Sequence, residues 1–427
     1  YHAGKTPTIS GIRKIDDRTV EISFIEMGQG IYTIGNGLLG YALSKKDFAG
    51  VPIKDMVSSP KSRDKIMTTG PYYITKTVQG ESLELKANEH YYKGKPKIDR
   101  VTIQVVNSQT ISAALKAGEY DIVLSMRGDL YPTIKDLGNI TVLGRQELYY
   151  SYLGFKLGKW DEAQKMNVMN PDAKMGDVKL RQALAYGLDV DQMAKAFYHG
   201  LRERATSSVP PVFKKYYPEG LEGFPYDPEK AKKLLDEAGY KDTNGDGIRE
   251  DKNGKPFEVR IASMAGGDIA EPLAQFYNQH RNEIGIKAVL ATGRLIEVNA
   301  FYDKVQADDP EIDVFFAAWG VGTNLNPVES AGRSSKFNYS RFVSDENDKL
   351  MNEVIGEKGL TEPGYKVAAY KKWQEYYIPM AAEVPLTYRY EIIPVNKRVK
   401  NFRIDYNKEA EGWGIHLVEL TADAPLK

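Results

Sequence analysis

Residues 286–319, IKAVLATGRLIEVNAFYDKVQADDPEIDVFFAAW, hold two short apolar runs separated by an amphipathic stretch. IKAVLAT (286–292) and IDVFFAAW (312–319) have the length and the β-branched or aromatic content of strands covered on both faces. Between them RLIEVNAFYDKV (294–305) has helical spacing. A third apolar run, FEVRIAS, stands at 257–263, and the segment Asp268 to Ile284 that follows it is closed as a helix by Gly285. Strands alternating with helices over about 60 residues require right-handed crossovers, and they predict a largely parallel sheet. Its last strand delivers Trp319 and then Gly320 and Gly322. In open sheets of this kind ligands bind beyond the carboxyl ends of the strands, where strand order reverses. Glycines there let backbone approach a guest, and an indole offers a stacking face.

Upstream, helices are expected at DVKLRQALAYGL (177–188), DVDQMAKAFYHG (189–200) and DPEKAKKLLDEAG (227–239), each opened by an aspartate N-cap. Downstream come one amphipathic helix, EPGYKVAAYKKWQEYY (362–377), and an extended return, EVPLTYRYEIIPVNKRV (383–399). The first 148 residues read as β-rich. RTVEISFIE (18–26) alternates Val20, Ile22 and Phe24 as a half-buried strand, and Tyr73–Thr77 with Ser82–Lys86 flank a turn at Gln79-Gly80. DRVTIQVV, then a helix with Ser108 as N-cap and Gly118 as terminator, then YDIVLS, reads as a β-α-β unit. The expected organisation is an α/β chain of two domains. Residues 1–148 with 386–427 form a discontinuous first lobe and 149–385 a second, with hinge bending near Tyr149 and Pro385.

Lysine plus arginine and aspartate plus glutamate both number 58, so the 427-residue chain is formally neutral, with no block of like charge. That argues against a nucleic-acid or anionic-membrane surface. The absence of cysteine excludes disulfides and thiolate ligands. No apolar run approaches the roughly 20 residues of a membrane-spanning helix, and the opening YHAGKTPTIS has no basic-plus-apolar signal region. Five histidines, at 2, 90, 199, 280 and 416, form no i, i+4 pair, and GxSxG, P-loop and HExxH patterns are missing. Nothing assembles a reaction, so a hydrolase is disfavoured and no catalytic residue is assigned.

One loop has metal chemistry. DTNGDGIREDKN (242–253) places oxygen donors at Asp242, Asn244 and Asp246, a glycine at position 6, the Ile248 carbonyl at 7 and Glu250 at 9. Hard oxygens at alternate positions with a glycine turn are what a calcium loop needs. Position 12 is Asn253 rather than a bidentate glutamate, so the expectation is a weakened structural calcium clip, set against a plain polar connector.

The segment MTTGPYYITKTVQGESLELKANEHYYKGKPKIDRVTIQVV, with ALKAGEYDI after it, resembles the extracytoplasmic oligopeptide-binding proteins of ABC importers, solute-binding family 5. DVKLRQALAYGLDVDQM, YDPEKAKKLLDEAGY, NYSRFVSDENDKLMNEV and EVPLTYRYEIIPVNKRV resemble later segments of the family in the right order, over about residues 7–406. The flavour is that of Gram-positive, streptococcal-type members. The resemblance implies a two-lobed periplasmic-binding-protein-like fold (type II, cluster C), here lacking part of the first lobe. It implies a monomer that binds oligopeptides between its lobes and delivers them to ABC permease subunits. It further implies a lipoprotein on the outer face of the cell membrane, anchored by a lipid that this chain does not carry. The ligand contacts expected are Trp319, Gly320, Val321, Gly322, Thr323 and Asn324 at the strand end, Tyr150, Tyr152 and Phe155 at the first crossing, and Arg333, Asn338 and Tyr339.

Peptide binders of the family place an aspartate after this tryptophan, where it pairs with the peptide's N-terminal amine. Asn324 stands in the equivalent place here, and between Gly320 and Ser344 the one carboxylate is Glu329. Loss of a charged hydrogen bond worth about 1.5–3 kcal/mol weakens selection for a free amine. The alternatives left open are another solute on the same fold, such as a nickel chelate, a glycan or a signalling peptide, and a surface receptor or adhesin that senses peptide without importing it.

Overall fold

The computed structural model describes residues 8–24, 43–63, 66–322, 325–404 and 414–427. The chain divides into two compact units, Tyr1–Arg145 with Glu391–Lys427, and Gln146–Tyr390. The chain passes from one unit to the other inside the strands Ile140–Phe155 and Glu383–Asn396. The expected hinge segments near Tyr149 and Pro385 therefore lie in continuous strand, not in loops.

In the first unit the strands Tyr72–Val78, Ser82–Ala87 and Arg100–Gln104 make an antiparallel sheet, with Gly80 left-handed (φ 76°) at the expected hairpin turn. The β-α-β reading fails here. YDIVLS (120–125) forms no strand, and the segment makes only isolated antiparallel bridges, from Ile122 to Val395 and from the following Met126 to Ile392. Its Ile122 packs against a core of Ile393, Val395, Val399 and Val418 in the returning C-terminal segment. A partner more than 260 residues away leaves no trace in local periodicity. The Ile111–Ala117 helix starts at Thr110, not Ser108, and ends on left-handed Gly118 (φ 70°). RTVEISFIE contributes only Val20–Ile22, paired with Ile12–Lys14, and Val20 is exposed instead of half-buried.

The second unit is built on a six-stranded sheet in the order Lys287–Leu290, Glu258–Ala262, Val314–Gly320, Ile140–Phe155, Glu383–Asn396, Arg202–Arg204. Glu258–Ala262 runs parallel to both of its neighbours. Ile140–Phe155 runs antiparallel to Val314–Gly320, and Arg202–Arg204 antiparallel to Glu383–Asn396. The sheet is therefore mixed, because the two long strands shared with the first unit join the three-stranded α/β core. Strand order reverses beside Glu258–Ala262, so the carboxyl ends of that strand and of Val314–Gly320 flank the switch point.

Successive side chains alternate between two cores. Leu153, Phe155, Val314 and Phe316 enter one, together with Leu180, Leu184, Leu235 and Trp373 from the helices Val178–Tyr186, Pro228–Glu237 and Pro363–Tyr377. Tyr150, Tyr152, Phe315 and Ala317 enter the other, with Phe301 and Val305 from Val298–Gln306. Asp177, Asp189 and Asp227 cap their helices as expected, each accepting from a backbone N–H one turn in. The helix expected from Arg294 starts only at Val298. Glu297 caps it, and Ile296 is drawn into a parallel bridge with Met264. The Phe315 ring lies against Gly154 on the neighbouring strand, where a β-carbon would come within 2.2 Å of its Cζ.

Candidate functional site

The Val314–Gly320 strand is buried from Val314 to Ala317, and its last residues emerge at the surface of the second unit. Registry pairs Trp319 with Tyr150 and Gly320 with Tyr149, and the Val321 N–H continues the ladder to the Leu148 carbonyl. Gly320 and Gly322 are exposed, and Gly322 is left-handed at φ 59°. A β-carbon at Gly322 would be strained by that conformation, which explains the glycine. Thr323 and Asn324, including the position of the missing aspartate, lie outside the described residues.

Trp319 is one end of an aromatic series. Its centroid is 5.8 Å from Phe337, Phe337 is 6.2 Å from Tyr339, and Tyr339 is 6.0 Å from Tyr302. Tyr339 is buried, whereas Phe337 is 52% exposed. Behind them Tyr150 and Tyr152 tilt against each other at 5.8 Å, and Tyr152 meets Phe315 edge-on.

The expected contact residues thus separate by environment. Trp319, Gly320, Val321 and Gly322 offer surface. Tyr150 and Tyr152 are buried behind Trp319, and Phe155 has no exposure and packs in the opposite core. Arg333 is engaged by Asp345 (2.6 Å) and Asp348 (2.5 Å) of the following helix. Asn338 is buried, and its amide donates to the carbonyls of Phe342 (2.9 Å) and Gly332 (3.3 Å). For Phe155, Arg333 and Asn338 the structure thus gives packing and loop-bracing roles in place of the expected contact surface.

Residues that the sequence reading passed over stand beside these. Tyr149, not only Tyr150, lies opposite the end of the Val314–Gly320 strand, with the Arg389 guanidinium 3.8 Å over its ring and held by Glu147. Adjacent tyrosines on a strand face opposite ways, and sequence alone does not say which is which. Glu383 opens its strand fully buried and accepts a 2.6 Å hydrogen bond from the Tyr150 hydroxyl. Burial pushes its carboxyl up from 4.5 to about 7, against the lowering effect of that hydrogen bond. Burial and the nearby carboxylate push the Tyr150 hydroxyl well above its ordinary range.

Beneath the Phe337–Tyr339 loop lies a cationic cluster. Lys156 donates to Asp308, to the Val305 carbonyl (3.1 Å) and to the Tyr339 carbonyl (2.8 Å). Arg341 donates to Asp308 (2.8 Å), Asn167 (3.0 Å) and the Gln306 carbonyl (2.7 Å). Burial pulls the Lys156 ammonium down to about 8, Asp308 opposing and Arg341 reinforcing that shift.

At the Asp242 loop, one carboxylate oxygen from each of Asp242, Asp246 and Glu250 lies within 4.8 Å of the others. Asp242 accepts from the N–H groups of Gly245 and Gly247, which hold its carboxyl below the usual range. Asn244 and Asp246 accept from the N–H groups two residues on, the latter from Ile248. Glu250 is buried and accepts from Thr243 and from Asn244. Asn253 donates its N–H to Asp251, turning the chain into the next strand where a twelfth-position ligand would stand. The donor set is hard oxygen and suits calcium, with Glu250 already committed to its neighbours. Of the histidines, His280 is buried against Phe276 and Tyr226, and His416 against Tyr91.

A strand-end aromatic platform at a topological switch point is the equipment of a protein that binds a solute. The sequence profile of the bacterial extracellular solute-binding proteins, family 5 Middle, matches residues 1–338, and the chain belongs to that family. It is 33% identical over 413 residues to the oligopeptide-binding protein OppA of Lactococcus lactis subsp. lactis, spanning 95% of this chain and 68% of that one. The lactococcal OppA structure, closed on an endogenous peptide, superposes with a TM-score of 0.84 over 95% of this chain and 76% of its own. AppA of Bacillus subtilis, solved with a nonapeptide, gives a TM-score of 0.74 at 25% identity, covering 96% and 78%. The chain is also 27% identical to heme-binding protein A of Haemophilus influenzae, over 94% of this chain and 69% of that one. Among the described residues no helix is long and apolar enough to cross a membrane.

Proposed function

We propose that this chain is an oligopeptide-binding protein that captures extended peptides outside the cytoplasm and passes them to an ABC permease, without chemistry of its own. The single observation behind this reading is the Trp319 platform: an indole backed by Tyr150 and flanked by exposed Gly320 and left-handed Gly322. It occurs in a chain one-third identical to a relative solved with peptide. Backbone-directed binding beside such a platform tolerates many sequences, because main-chain hydrogen bonds supply affinity and side-chain contacts supply selectivity. The protein would act as a monomer, lipid-anchored on the outer face of a Gram-positive membrane. Mass spectrometry of ligand retained by the protein from its native source is the test. A ladder of peptides supports the reading, whereas heme, a metal chelate or a glycan as sole ligand refutes it. Loss of peptide uptake on gene deletion distinguishes import from sensing.

For the Asp242 loop we propose a structural calcium, favoured by the three converging carboxylates. Added calcium should raise the melting temperature by a few degrees, and Asp246→Ala should abolish the rise. An identical response in the variant removes the ion from this loop.

A further inference from the structure

A carboxyl buried without a counter-ion stands one side chain away from Trp319. Glu383 is buried, forms no ion pair among the described residues, and accepts its 2.6 Å hydrogen bond from the Tyr150 hydroxyl. Tyr150 lies directly across from Trp319 in the antiparallel register, so the two side chains share one face of the sheet as neighbours. The path from indole to carboxyl therefore runs through a single tyrosine.

The other groups around this acid do not neutralise it. Burial first, and Glu383 after it, push up the hydroxyls of Tyr150, Tyr152 and Tyr377, and Tyr302 and Tyr339 act on Tyr152 from beyond. Tyr370 responds to burial, then to Glu329, then to Glu383. Arg181, on the helix Val178–Tyr186, acts on Tyr377 but donates to the carbonyls of Met175, Gly176, Met380 and Ala381. An ionised Glu383 is thus left with one neutral donor and with water at the strand end, where Trp319 is half-buried and Gly320 exposed. A solute laid over Trp319 removes that water, which raises the cost of the carboxylate and leaves the protonated form untouched. Burial already lifts this carboxyl to about 7, so a further rise changes its proton occupancy near neutrality.

We propose that peptide capture at the Trp319 platform is coupled to proton uptake by Glu383, so that the protein holds its ligand more tightly in mild acid than in mild alkali. This rests on the peptide reading above. By linkage, the affinity is full below the titration of the ligand-free acid and is lost as pH rises to that of the ligand-bound one.

The experiment measures binding of a nonapeptide pool, the length held by the Bacillus subtilis relative, to the intact protein from about pH 5.5 to about pH 8.5. The peptides are blocked at both ends and built from residues that do not ionise, so any pH dependence belongs to the protein. Wild type should lose about fivefold in affinity between about pH 6 and about pH 8. It should also take up a fraction of a proton per peptide bound, read by calorimetry in two buffers of different ionisation enthalpy. Glu383→Gln should bind with a flat profile and no proton uptake. Should that variant lack a cooperative melt, Tyr150→Phe takes its place and is expected to move the loss to higher pH. A flat wild-type profile, an equal loss in Glu383→Gln, or an unmoved loss in the substitute variant overturns the coupling and leaves the peptide reading standing. Failure of wild type to bind any peptide across the whole range sinks both.

Discussion

Asp308, half-buried, and Glu383, buried, are both acids of the second unit, and the fold treats them in opposite ways. Asp308 sits between Lys156 and Arg341 and also accepts from the Trp160 N–H, so its charge is surrounded by donors. Glu383 has the neutral Tyr150 hydroxyl and forms no ion pair among the described residues. Through Lys156 and Arg341 the first acid ties the 336–341 loop to the end of the Val298–Gln306 helix. The second is cheaper to keep protonated, and it lies behind Trp319 as a group whose charge follows pH. One region is locked by electrostatics and the neighbouring one is poised by desolvation.

Substitution can break this contrast in order of size. Asp308→Asn strands two cations in the interior and should destabilise the protein by about 3–5 kcal/mol, read from urea unfolding. A loss below about 1 kcal/mol would show that the cluster is solvated and does not clamp the loop. Glu383→Gln should do the reverse at alkaline pH. A carboxyl raised from 4.5 to about 7 holds a proton in the folded state that the unfolded chain releases, so stability falls as pH rises through that window. The amide removes this deficit, and the variant should exceed wild type by on the order of 3 kcal/mol at pH 8, converging near pH 4.5. Parallel stability curves for the two proteins would mean that Glu383 is ionised throughout. The smallest change, Tyr150→Phe, deletes the donor that favours the carboxylate. It should move the midpoint of that pH window upward and cost about 1 kcal/mol at pH 8; an unmoved midpoint would detach Tyr150 from the titration.

Much of the second unit was legible because its signals are local. Aspartate caps, the Gly285 stop and the apolar runs at 257–263, 286–292 and 312–319 each act within a few residues, and Trp319 at a strand end follows from them. What escaped depends on distant partners. YDIVLS lost its strand to residues 392–395, and the sheet became mixed because segments near 150 and 385 join it. The site was read least well where a side chain's facing decides its role. Phe155 lies one residue out of phase with Tyr150 and Tyr152 and so enters the opposite core, and Arg333 looked like a contact until Asp345 and Asp348 claimed it. Glu383 carried a signal in hindsight, an acid directly before the apolar run Val384, Pro385 and Leu386. Phe337 had only its place in SKFNYSRF, among aromatics whose spacing says nothing of exposure.

The Phe315 ring lying on Gly154 sets a limit on how this platform can vary. A two-residue slip between those strands would preserve every inward and outward facing, so alternation alone does not forbid it. The ring forbids it, because at this level only a residue without a side chain can lie opposite Phe315. Trp319 is thereby kept across from Tyr150. Among residues 149–155 the position with least to offer a ligand is the one least free to mutate, and alanine there would shift the tryptophan without touching it.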